Sequence, residues 1–134
     1  MIKKTELSSD KLPVMGFPWG LSVTGASQLI FVSGVPPMNE MRKVVISDAY
    51  DQFAYELERI KEILAAADMG LADIVYLTVT VTEKAHLYEN WNRFVEIWGR
   101  YFPERPGPAG GTLRIVSGLS HPKMMVEVEA IAAR

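Results

Sequence analysis

Side chains able to do chemistry are few in this chain, and most familiar arrangements of them are missing. No GxGxxG, P-loop, GxSxG elbow or HExxH occurs. The absence of cysteine excludes thiolate nucleophiles, disulfides and Cys-ligated zinc or iron–sulfur centres. Of the two histidines, His86 lies at or just before the start of a helical segment and His121 sits in a Ser120-His121-Pro122-Lys123 turn. Two isolated imidazoles join a metal site only with carboxylates from elsewhere, so both read as ordinary helix-end and turn residues. Glu127 is more interesting: a carboxylate in an apolar-rich strand is usually solvated, but lining a cleft it orients water or a cationic ligand group. The Gly107-Pro108-Ala109-Gly110-Gly111-Thr112 stretch has two readings. Its Gly-Gly pair frees backbone N–H groups for close approach to an anion, or the loop simply needs positive φ.

The elements that must position these groups follow from periodicity. Phe53, Leu57, Ile60 and Leu64 recur at helical spacing, widened by Tyr50, Ala54 and Ala67, with Glu56, Glu58, Arg59, Lys61 and Glu62 on the other side. Ser47 or Asp48 caps this helix and Gly70 stops it. A second helix carries Leu87, Trp91, Phe94, Trp98 and Tyr101, with Thr82 before it and Pro103 at its end. Its aromatic stripe reads as core. Strands are expected at residues 2–7, near 21–24, at 28–33, at 76–81, at 113–116 and at 124–131. In the last of these, Val126, Val128 and Ala130 share one side, with Glu127, Glu129 and Ile131 on the other.

Helices separated by strands imply crossovers, and the flanking hairpins imply a mixed sheet. Two singly amphipathic helices cover one sheet face only, giving a two-layer α/β sandwich. The uncovered face then calls for a partner subunit. At 134 residues the chain is one domain, 1–134. With 49% hydrophobic and 22% charged residues it is globular rather than disordered. Its net charge of −2 argues against a protein built to grip phosphate backbones. The charged opening Met1–Glu6 lacks the apolar run of a signal peptide, and no apolar run approaches the ~20 residues of a membrane span. A cytoplasmic location is expected.

The chain resembles the RidA/YjgF superfamily, the reactive intermediate deaminases, formerly called L-PSP endoribonucleases. The resemblance runs in order through Pro18-Trp19, the Ile30–Gly34 strand and the helix containing Gln52 and Leu64. It continues through the strand start at Asp73-Ile74-Val75 and ends in Val126-Glu127-Val128-Glu129-Ala130-Ile131-Ala132. It implies a chorismate-mutase-like α/β fold assembled as a homotrimeric barrel, with small-molecule pockets in the clefts between subunits. It further implies hydrolysis of enamines and imines to a 2-keto acid and ammonia, with no metal or cofactor. Glu127 matches the glutamate held to position water, and Ser33 and Gly34 match the Ser-Gly lining the pocket. Trp19 falls where a tyrosine is common. An asparagine common in the second helix falls near Asn90 or Asn92, and Asn92 is taken as the site residue.

One position departs. The arginine of the family's "PARTTV"-like motif, which clamps a substrate carboxylate, aligns with Gly110 or Gly111. That removes two charged hydrogen bonds of ~1.5–3 kcal/mol each. Arg105 before the motif and Arg114 after it are the nearest replacements, and Arg114 is placed in the site. Three functions stay open: a deaminase of altered substrate choice, with the Gly110 and Gly111 amides holding an oxyanion or carboxylate; a non-catalytic ligand-binding or regulatory trimer; and, ranked last, an endoribonuclease.

Overall fold

A computed structural model describes residues 1–83 and 89–134. The expected helical turn carrying His86 and Leu87 lies outside the described residues. Strands β1 (Lys3–Leu7) and β2 (Gly20–Thr24) form a separate antiparallel pair, with Lys3 opposite Thr24 and Leu7 opposite Gly20. The main sheet contains β3 (Leu29–Val35), β4 (Ile74–Val81), the short β5 (Ala109–Gly110) and β6 (Arg114–Ile115), and β7 (Val126–Ala133). Its order is β3-β7-β4, with β5 and β6 in turn along the far edge of β4. The pairs involving β7 are antiparallel, and β4 runs parallel to β5 and β6, so the sheet is mixed as expected.

Helices α1 (Ala49–Ala65) and α2 (Trp91–Tyr101) form the second layer. Asp48 is the N-cap of α1, its carboxylate accepting from the Tyr50 and Asp51 amides at 2.9 and 3.0 Å. Burial pushes its pKa up. The Asp51 and Tyr50 amides and the Arg93 guanidinium outweigh that and hold it below the usual value. Phe53, Leu57, Ile60 and Leu64 are buried against the sheet, and Phe53 stacks on Phe94 of α2 at 5.0 Å. This packing follows directly from the two apolar stripes.

Two expectations about α1 are corrected. Gly70 does not stop the helix: the cap is Ala66, and Asp68 adopts the left-handed conformation at φ 58°. An aspartate tolerates that region through local hydrogen bonding, so no glycine is needed. Glu56 does not lie on the charged side. It is fully buried, beside Gln52, on the apolar face. Gln52 is satisfied there: its amide donates to Ile46 and Lys123 carbonyls and accepts from the Met125 amide.

The sheet face away from the helices has a regular grain. Phe31, Ile131 and Tyr76 stand in register across three strands, the first 72% and the last 40% exposed. Further along, Glu129 pairs with Thr78, and then Glu127, Thr80 and Arg114 form a polar row. The face is therefore apolar at one end and polar at the other. On β3 the register slips by one residue between Val32 and Val35: these face Ala130 and Val128, so three steps on β3 match two on β7. The bulge leaves Ser33 and Gly34 together opposite one partner position.

Candidate functional site

The polar end of the open face is built from β7, β4, β6 and the β3 bulge. Strand alternation puts Val126, Val128 and Ala130 in the core, so Glu127 and Glu129 must emerge on the open face. Glu127 is half-buried because its side chain lies over Gly34. A methyl group on Gly34 would sit 2.8 Å from the Glu127 carboxyl carbon. That glycine is required for close approach, not for backbone conformation. Ser33 is exposed beside it. Across the sheet, Arg114 places its guanidinium 3.6 Å from Glu129, with both side chains about half exposed. The two alternatives for the missing arginine, Arg105 and Arg114, thus have different surroundings. Arg105 is tied to Glu6 and the Gly16 carbonyl, bracing β1 against the proline-rich loop, and only Arg114 reaches the face that carries Glu127.

The Gly110–Gly111 segment forms the rim of this face. Neither glycine has positive φ; Gly25 is the described glycine that does. The pair is there for space. A Cβ on Gly111 would lie 2.5 Å from Thr78 Oγ1 and 2.9 Å from the Tyr76 hydroxyl, and one on Gly110 would lie 3.3 Å from the Phe17 ring. The Gly111 amide donates to the Leu77 carbonyl at 2.9 Å, so the role of oxyanion donor expected of it is already taken by strand pairing. Thr78 Oγ1, fully buried beneath Gly111, has no hydrogen-bond partner among the described residues. Trp19 packs edge-on against Phe17, centroids 6.0 Å apart, and its indole N–H donates to the Pro13 carbonyl. It reaches the rim through Phe17.

Asn92 is not brought to this site within the protomer. It is exposed on α2, in the helix layer, whereas Glu127 faces away from that layer. Asn90, the alternative, is the N-cap residue of α2. His121 is the turn residue expected, its Nδ1 accepting from the Lys123 amide at 3.0 Å. Among the described residues no three His, Asp or Glu side chains converge as a metal site would require.

Sequence reasoning missed Glu56. Both its carboxyl oxygens are buried without a partner in hydrogen-bond geometry. Burial first, and then the charge of Glu127, push its pKa up to about 10, while the nearby Val128 backbone holds it back a little. At neutral pH it is a buried, uncharged acid. Nothing in hydrophobic period marks such a residue, because a lone glutamate on an apolar face is indistinguishable from one at the face's edge.

An open, half-polar sheet face backed by two helices, with one carboxylate held over a glycine beside a β-bulge, defines a small two-layer α/β protein with its candidate site on that face. The family described as Endoribonuclease L-PSP matches residues 18–134, and the chain belongs to it and so to the RidA/YjgF superfamily. It is 30% identical over 110 residues to 3-aminoacrylate deaminase RutC of Acinetobacter baylyi, covering 81% of this chain and 82% of that one. It is 29% identical over 107 residues to TdcF of Escherichia coli, which is named among the reactive intermediate deaminases, with 79% of each chain covered. The fold of YyfB, a Rid-family protein of Yersinia pestis, superimposes with a TM-score of 0.81 at 20% identity, over 98% of both chains.

Proposed function

We propose that this protein is a cofactor-free hydrolytic deaminase of a small enamine or imine, working in the cytoplasm at clefts between the subunits of a homotrimer. The observation that carries the reading is Glu127 held over Gly34 on the open face, with Arg114 one strand beyond Thr80. Glu127 takes a proton from water as the oxygen attacks the C=N carbon and passes it to the nitrogen, giving the carbinolamine; it then carries the hydroxyl proton to the nitrogen, so that ammonia leaves as the C=O bond forms. The balance is imine plus water to ketone plus ammonia. Arg114 is the cation for a substrate carboxylate, in place of the arginine missing at Gly110 and Gly111. Gly110 and Gly111 keep the rim open, and Ser33 and Trp19 border the pocket. Asn92 enters only if a neighbouring subunit brings it there.

Trimer formation is supported by the apolar row of Phe31, Ile131 and Tyr76, together with Leu29 (55% exposed), on a face that no element among the described residues covers. Two carboxylates at the site and a net charge of −2 argue against a nucleic acid substrate. No described helix is long and apolar enough to cross a membrane.

The test is ammonia release from 2-iminopropanoate generated in situ, with wild type, Glu127→Gln and no protein. Wild type should accelerate release, and Glu127→Gln should lose about 100-fold or more. No acceleration by wild type sinks the enzyme reading. The second reading, a ligand-binding trimer without chemistry, then takes over; the glycines in place of the clamp arginine favour it.

A further inference from the structure

A cavity of about 460 Å³ opens where the C-terminal end of α2 meets strand β1 and the start of β4. Leu71, Tyr101, Phe102 and Pro106 give it apolar walls, and Lys4 and Asp73 are its half-buried charges. Small-molecule sites combine a volume of this order with apolar walls and a few polar groups. None of Glu127, Arg114, Ser33, Gly110 and Gly111 lines it. Asp73 immediately precedes β4, whereas Glu127 faces Thr80 near the far end of that strand. From Ile74 to Thr80 the strand advances about 20 Å, so the two places are well separated.

The walls are stiff. The loop Phe102-Pro103-Glu104-Arg105-Pro106-Gly107-Pro108 holds three prolines, each with φ locked at about −65°. The Glu6 carboxylate accepts from both the Arg105 guanidinium and the Gly107 amide, which fastens this loop to β1. Tyr101 donates its hydroxyl to Glu58 at 3.0 Å, and the Phe102 ring packs 5.2 Å from Trp98. A ligand meets walls already in place, which keeps the ordering cost of binding low.

Its two charges are held apart. Lys4 Nζ donates to the Ala72 carbonyl at 2.8 Å, and one Asp73 oxygen accepts from the Gly70 amide at 2.8 Å. Both line the same cavity, yet neither forms an ion pair with the other or with any other described residue. Each keeps capacity to spare: further ammonium donors on Lys4, and the second carboxylate oxygen of Asp73. The other charges at the cavity do not compete, because Arg105 is paired with Glu6 and Glu104 is exposed. A ligand bearing only a carboxylate would satisfy Lys4 and meet Asp73 as a like charge; one bearing only an amine would do the converse. A ligand with both groups answers both. We infer that this cavity is a binding site for a free α-amino acid with an aromatic or large aliphatic side chain. Its carboxylate lies on Lys4, its ammonium on Asp73, and its side chain against Leu71, Tyr101 and Phe102. The site is independent of the deaminase reading.

The test is titration of L-phenylalanine into the wild-type protein, followed by NMR at the Leu71 methyls, the Tyr101 and Phe102 rings and the Glu127 amide. Saturable shifts are expected at the first three groups, with the Glu127 amide unmoved. Two analogues that each lack one charge, 3-phenylpropanoate and 2-phenylethylamine, should bind at least about tenfold more weakly, since each forfeits a charge-assisted contact. Lys4→Met should weaken phenylalanine binding by a similar factor. Asp73→Asn keeps an acceptor for the Gly70 amide and should weaken phenylalanine while leaving 3-phenylpropanoate no weaker. No saturable shift at the solubility limit of the amino acid overturns the site. So does either analogue binding as tightly as phenylalanine, and so do shifts centred on the Glu127 amide, which put the amino acid on the open face instead. The analogue series uses only the wild-type chain, so the result is decisive even if a variant folds poorly.

Discussion

Glu56 offers the sharpest check on the physical reasoning, because its burial has a thermodynamic signature. Its carboxyl is held neutral, with a pKa pushed up from 4.5 to about 10. In the unfolded chain at pH 7 it is ionised. Folding at pH 7 must therefore take up a proton, and the cost is set by the interval between 4.5 and 7 at 1.36 kcal/mol per unit, about 3 kcal/mol. Since the native state binds the extra proton, stability falls as pH rises from about 4.5 toward 10, with a limiting slope of about 1.4 kcal/mol per unit. Glu56→Met removes both the proton uptake and two unpartnered oxygens at similar volume. It should stabilise the protein at pH 7 by about 1–3 kcal/mol. Glu56→Gln should abolish the slope but recover less, since its amide donors inherit an unpartnered site. Urea unfolding at several pH values between 5 and 8 measures this, at one fixed protomer concentration because self-association couples to stability. If wild type and Glu56→Met give parallel pH dependences, or if Glu56→Met is the less stable at pH 7, the neutral buried acid is wrong.

Four further outcomes follow from the same contacts. Asp48→Ala removes the α1 cap and its pairing with Arg93, and should lower unfolding free energy by about 0.5–2 kcal/mol. Because the Asp48 pKa is depressed, that deficit should fade as pH falls below 3.8, which a pH series of denaturation curves would show. Gly34→Ala drives a methyl into the Glu127 carboxyl and should cost about tenfold or more in turnover with little loss in melting temperature. Gly111→Arg collides with buried Thr78 while Gly110→Arg meets only the edge of Phe17, so thermal denaturation should show Gly111→Arg to be the less stable. Phe31→Asp places a charge in the apolar row and should convert an assembled species to one of 15.0 kDa by sedimentation.

Much of the architecture was legible in the residues. Period-two alternation placed Glu127 and Glu129 together on one face of β7, and helical period placed Phe53, Leu57, Ile60 and Leu64 in the core. A cap at Ser47 or Asp48 followed from side-chain chemistry, and the backbone places it at Asp48. What escaped was set by tertiary neighbours. Gly110 and Gly111 look like turn residues, yet their reason is the Phe17 ring and the Thr78 and Tyr76 side chains, remote in sequence. The Gly111 amide could be counted as available only until β4 supplied the Leu77 carbonyl. Arg114 was preferred over Arg105 without a contact to decide it, and the Glu6 carboxylate that holds Arg105 comes from a strand remote in sequence. Asn92 was placed by resemblance, and the helix phase turned it outward.

The extra residue in β3 also bears on how this site can change over time. Val32 and Val35 both point into the core because the chain gains one residue between them. In an unbroken strand a one-residue insertion or deletion reverses every side chain beyond it. Here, losing either Ser33 or Gly34 restores plain alternation and leaves Val35 facing inward. The lip around Glu127 can thus be lengthened, shortened or rewritten while the hydrophobic layer keeps its phase, so that lineages built on this scaffold are free to explore new substrates by small indels without first repairing the fold.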